Sequence, residues 1–171
     1  GLVAISSASA QDIYEDLDLK YFGHGESAKD GWVEAIHDTR TYYGSVKMTG
    51  DGFKGRPDNN SDSSFTAGNL TGWWVGKEGH VTFNGNVDLI CGGGSETGAL
   101  GAFGPMQIGG YIGYYKSYGG EVVFTESSRL TLGKGAAIEV GYGGSLWLKG
   151  EVSSVGGGEI FLHSAKNVHC K

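Results

Sequence analysis

Short apolar triplets with polar residues between them recur along the second half of the chain. Val122-Val123-Phe124, Leu130-Thr131-Leu132, Ile138-Glu139-Val140 and Leu146-Trp147-Leu148 begin eight residues apart, Ile160-Phe161-Leu162 follows, and glycines punctuate the gaps. A period of two puts alternate side chains on opposite faces of a strand, and glycine permits the tight turns between strands. The pattern therefore predicts an all-β fold in which equivalent strands stack at a fixed step. Two architectures satisfy it: a glycine-punctuated β-solenoid or β-helix-like stack, or an antiparallel β-sandwich or meander with hairpins at Gly133-Lys134-Gly135 and Gly141-Tyr142-Gly143-Gly144.

Upstream the pattern is less regular. Ile13 and Leu17, with Asp12, Glu15 and Asp16 near a capping Ser9, predict one short helix over 9–19. Trp32–Ile36, Ser45–Met48, Trp73–Val75, Val81–Phe83 and Val87–Leu89 read as strands, with a strand-and-turn connection over 38–44, and the polar run 49–71 reads as a long exposed loop. The section 92–120 is rich in glycine and tyrosine and lacks alternation. This divides the chain into an N-terminal arm with a short helix over 1–30, a β region with long loops over 31–118 and a repetitive β stack over 119–171, all three compatible with one domain.

Composition narrows the function classes. The 171 residues include 33 glycines and two prolines, and the glycines have no three-residue period, which excludes collagen. The net charge is −6, and its excess lies before Gly119, where 14 acidic residues face 8 basic ones. A nucleic-acid partner is not expected, because no basic stripe exists to displace counterions. No apolar run approaches the ~20 residues of a membrane-spanning helix, so membrane insertion is not expected. Residues 1–10 end in Ala8-Ser9-Ala10, compatible with a signal remnant lacking its basic head or with an ordered arm. Cys91 and Cys170 are 79 residues apart, which suits either one disulfide or two unpaired thiols.

The run from Gly119-Gly120-Glu121-Val122-Val123-Phe124 through Leu130-Thr131-Leu132-Gly133-Lys134-Gly135-Ala136-Ala137-Ile138-Glu139-Val140-Gly141 to Leu146-Trp147-Leu148-Lys149-Gly150 resembles the β-helical repeats of phage tail-spike and tail-fibre proteins and of autotransporter-type bacterial adhesins. The resemblance covers about 45 residues and is compositional. It implies a receptor-binding or adhesive module on a virion or outside a cell, with a homotrimer or fibre partner. The two cysteines depart from the adhesin pattern and favour the phage-like branch.

Aromatics are the leading ligand-binding candidates: Trp73, Trp74, Tyr111, Tyr114, Tyr115 and Tyr118, with Tyr42 and Tyr43 beside them. Their π-faces stack on the C–H faces of sugar rings, so a cell-surface glycan is the expected ligand. On an alternating strand one of Trp73 and Trp74 faces in and the other out. Asp58, Asn60 and Asp62 open like a calcium loop, but Ser63 and Asn69 stand where that loop needs Gly and Glu, so no metal is expected. Carboxylates Asp51, Asp88, Glu96, Glu121 and Glu126 are available for glycosidic acid–base work, which requires a close pair. His24, between glycines, lacks a nucleophile motif, and His80, His163 and His169 lack metal-ligand spacing. Asn59-Asn60-Ser61 and Asn69-Leu70-Thr71 match glycosylation sequons. The expected function is non-enzymatic recognition of surface carbohydrate without a cofactor. The alternatives are a polysaccharide depolymerase and a structural fibre subunit.

Overall fold

The computed structural model describes residues 10–20, 33–50, 72–91, 106–110, 119–133, 136–162 and 166–170. Among them lie sixteen strands and no helix: β1 (Gln11–Ile13), β2 (Leu17–Lys20), β3 (Val33–Ile36), β4 (Thr39–Tyr42), β5 (Val46–Gly50), β6 (Gly72–Val75), β7 (His80–Phe83), β8 (Asn86–Cys91), β9 (Met106–Ile108), β10 (Glu121–Phe124), β11 (Arg129–Leu132), β12 (Ala137–Val140), β13 (Ser145–Leu148), β14 (Glu151–Ser154), β15 (Glu159–Leu162) and β16 (Asn167–Cys170). Every third strand joins the same sheet. Sheet A runs β1-β4-β7-β10-β13-β16, sheet B β2-β5-β8-β11-β14 and sheet C β3-β6-β9-β12-β15.

All pairings between these strands are parallel, so the antiparallel alternative does not hold. The glycine turns are corners between sheets, not hairpins. The eight-residue step has a direct structural meaning: Val122, Leu130 and Ile138 occupy one position in sheets A, B and C, and three steps later Leu146 pairs with Val122. The segments 21–32, 51–71 and 92–105, outside the described residues, each connect a sheet B strand to the next sheet C strand. Sheet A crosses positions 30 and 118 without interruption.

Parallel register puts inward side chains in rows. In sheet A one row is Ile13, Tyr42, Phe83, Phe124 and Leu148; in sheet B, Leu19, Met48, Leu89 and Leu132; in sheet C, Ile36, Val75, Ile108 and Val140. Most of these are fully buried and form one core. Burying apolar surface at about 25 cal/mol per Å² is the main stabilising term, and the parallel ladders satisfy the backbone polar groups that burial strips of water.

The helix predicted over 9–19 is absent. Ile13 and Leu17 are four residues apart, but they sit on separate strands, with Tyr14, Glu15 and Asp16 forming the corner between them. Leu17 and Leu19 then alternate inward against the core. Tertiary pairing with β4 and β5 overrides the weak helical spacing.

Candidate functional site

The corner between sheets A and B turns two aromatic rings outward. Ile13 and Tyr42 are register partners facing the core, so the next residues, Tyr14 and Tyr43, point away from it. Their rings stack with centroids 4.7 Å apart and planes 7° from parallel, which is the spacing of neighbouring strands. Tyr14 is 69% exposed and Tyr43 43%. Tyr43 N donates to Ile13 O at 2.8 Å, and Leu17 N to Ser45 O at 2.8 Å. Gly44 permits this approach, because a Cβ there would overlap the Glu15 carbonyl.

Around the stack the surface is acidic. Asp12 lies one residue before Ile13, and Glu15 and Asp16 directly follow Tyr14, while farther along β2 Asp18 has Lys47 as its register partner. Ser45 N donates to Asp16 Oδ1 at 2.8 Å, which fixes the corner and holds that carboxyl below its ordinary pKa. The Asp12 carboxylate pushes the Tyr43 phenol above its ordinary value, with smaller contributions from burial and Tyr14. The corner thus offers an open aromatic surface edged with carboxylates.

The residues singled out from the sequence do not converge on one place. Trp73 is the inward member of its pair: it is 2% exposed and lies against Tyr42 (5.0 Å) and Phe83 (5.9 Å), which removes it from the ligand-contacting candidates. Tyr42 is likewise core. The Trp74 side chain lies outside the described residues, as do Tyr111, Tyr114, Tyr115, Tyr118, His24, His163, Asp51, Glu96, the 58–69 oxygen cluster and both sequons. Cys170 is a free, exposed thiol, so the Cys91–Cys170 disulfide is not formed. Cys91 ends a sheet B strand of the third tier and Cys170 a sheet A strand of the sixth, about 14 Å apart along the stack, where a disulfide needs Cα atoms within about 7 Å. No group of His, Cys, Asp and Glu among the described residues could hold a metal.

Two further features were not legible beforehand. On the outer face of sheet A, Trp147 Nε1 donates to Glu121 Oε2 at 3.0 Å, its ring stacks on His169 at 3.8 Å, and Lys149 Nζ lies 5.5 Å from the ring centroid. His80 Nδ1 is 3.6 Å from Glu121 Oε1. His169 occupies one indole face and the register places Val123 on the other side, so this row fastens the last strand instead of presenting a free ring. Trp147→Ala is expected to raise amide exchange of 167–170 about fivefold while leaving β7 and β10 unchanged, as loss of a ~1 kcal/mol aromatic contact requires.

The second feature is the outward row of sheet C. Gln107 and Glu139 are register partners at 2% and 8% exposure, so β9 and β12 are buried on both faces. Gln107 Nε2 donates to Gly109 O at 3.3 Å, while Gln107 Oε1 has no partner among the described residues. Burial pushes the Glu139 carboxyl up to about 7. Between its ordinary 4.5 and about 7, the folded chain keeps a proton that the unfolded chain has released. Stability is therefore expected to fall by on the order of 2–3 kcal/mol as pH rises through that window and to level off above it. Urea midpoints at pH 4.5 and pH 8 check this, and Glu139→Gln should flatten the dependence. No family model, curated protein or solved structure matches the chain.

Proposed function

We propose that the chain is a three-sided β-solenoid serving as a non-enzymatic receptor-binding or adhesive module, of the kind carried by phage tails or bacterial surface fibres, and that it recognises cell-surface carbohydrate. The observation carrying this reading is the exposed Tyr14–Tyr43 stack, held at fixed spacing by paired parallel strands. A pre-ordered aromatic pair binds sugar C–H faces without a further ordering cost, and Asp12 and Glu15 are at hand to accept sugar hydroxyls. In this reading the module acts at a virion surface or outside the cell.

A glycan array with the purified chain tests the reading. Binding to at least one surface polysaccharide is expected, reduced at least tenfold in the Tyr14→Ala/Tyr43→Ala double variant, with no release of reducing ends from the bound polymer. Undiminished binding in that variant would sink the assignment of the site, and reducing-end release would favour the depolymerase.

The far end of the stack supports a partner. Val152 and Leu162 continue the buried rows of Leu130 and Val140, yet they are 43% and 59% exposed, and Val155 is 64% exposed. β14, β15 and β16 are each the last strand of their sheet among the described residues. In this reading the exposed apolar set packs against a second copy of the chain, in a homotrimer or fibre. Light scattering should give a mass near three times the 17.9 kDa chain, falling to one chain mass in Val152→Lys/Leu162→Lys. A wild-type monomer at all concentrations would contradict the partner.

A further inference from the structure

We propose that the Tyr14–Tyr43 corner selects amino sugars, taking the protonated amino group against the ring of Tyr14 and between the neighbouring carboxylates. The inference rests on the carbohydrate reading and names the ligand class within it. Tyr43 covers one face of the Tyr14 ring, and β1 is the first strand of its sheet among the described residues, so no described strand lies beyond the other face. At 69% exposure that ring is open to a ligand. An aromatic face carries negative charge density and attracts a cation placed over it.

The charge around the ring sets the sign of the partner. Asp12 and Glu15 are exposed, and Asp12 lies close enough to act on the Tyr43 phenol, while Asp16 already accepts from Ser45 N. A neutral sugar would gain the stacking but nothing from these carboxylates. An acidic sugar would be repelled by them, and an ammonium gains both terms, so the corner discriminates by repulsion as well as by attraction. An exposed site of this kind is also screened by salt, which gives the recognition a measurable signature.

The test titrates the chain at pH 5.5 with a glucosamine pentasaccharide and with its fully N-acetylated counterpart, at low and at physiological salt. The glucosamine oligomer should bind at least tenfold more tightly, and severalfold less tightly at the higher salt. Asp12→Asn should weaken it severalfold and Tyr14→Ala/Tyr43→Ala should abolish the preference, whereas Tyr14→Phe, which keeps the ring, should retain it. Equal binding of both oligomers through the same tyrosines would overturn the amino-sugar inference and leave the carbohydrate reading standing. Failure of the glucosamine oligomer to bind would overturn it as well, whatever the array binds. Loss of all glycan binding on the array is the separate result that removes the carbohydrate reading.

Discussion

Phe83→Ala should lower the stability of the chain by ~4 kcal/mol, read as a shift of the urea midpoint at unchanged slope. Phe83 is fully buried at the centre of an aromatic column, with ring centroids 5.5 Å from Tyr42, 5.0 Å from Phe124 and 5.9 Å from Trp73. The cost of such a truncation is the lost transfer energy plus the cavity left behind, and it is largest where neighbours cannot move in. Here they cannot: Tyr42 and Phe124 are fixed one strand away on either side by parallel ladders of β4 and β10 with β7. Val123→Ala, on the outward side of β10, should cost below about 1 kcal/mol in the same assay. A loss at Phe83 no greater than that at Val123 would mean that the rows do not hold the core.

Gly141→Ala is the second large effect, and it acts through backbone instead of side chains. Gly141 N donates to Ile108 O at 2.8 Å, and the next residue exchanges bonds with Gly110, Tyr142 N to Gly110 O at 2.7 Å and Gly110 N to Tyr142 O at 3.0 Å. A Cβ at 141 would overlap the Gly110 carbonyl oxygen and stand 3.0 Å from Gln107 Nε2. The obstructing atom is backbone, held by its own hydrogen bonds, so relief requires separating β9 from β12. The expected cost is about 3 kcal/mol, with Gln107 and Glu139 losing protection together. Gly133→Ala is the control. Its neighbours are the Ile90 side chain at 3.1 Å, which can rotate, and the Leu89 carbonyl oxygen at 3.2 Å, which needs to give by only a few tenths of an ångström, so the cost should be about 1 kcal/mol, well below that at Gly141.

Why some of this was legible and some was not follows from what each residue reports. Val122, Leu130, Ile138 and Leu146 announce the repeat because each is the first inward residue of its strand. They carry no information on strand direction, since alternation and glycine corners are shared by parallel and antiparallel sheets. β14 was silent because all four of its residues are exposed, and β9 because Met106, Gln107 and Ile108 are buried on both faces and show no alternation. Ile13 and Leu17 mimicked a helix because a three-residue corner happens to place two core residues four apart. The candidate site was half visible: Tyr43 stood out beside Tyr42, but Tyr14 sat inside the expected helix. Its signal was positional, an aromatic immediately after an inward residue and before a corner, repeated at 14 and 43.

Whether the exposed tyrosine stack binds surface carbohydrate is decided by a glycan array run with the wild-type chain beside Tyr14→Ala/Tyr43→Ala. A polysaccharide signal that falls at least tenfold in the double variant, with urea midpoints matched within experimental error, is the predicted result. A signal of equal strength in both proteins would contradict it.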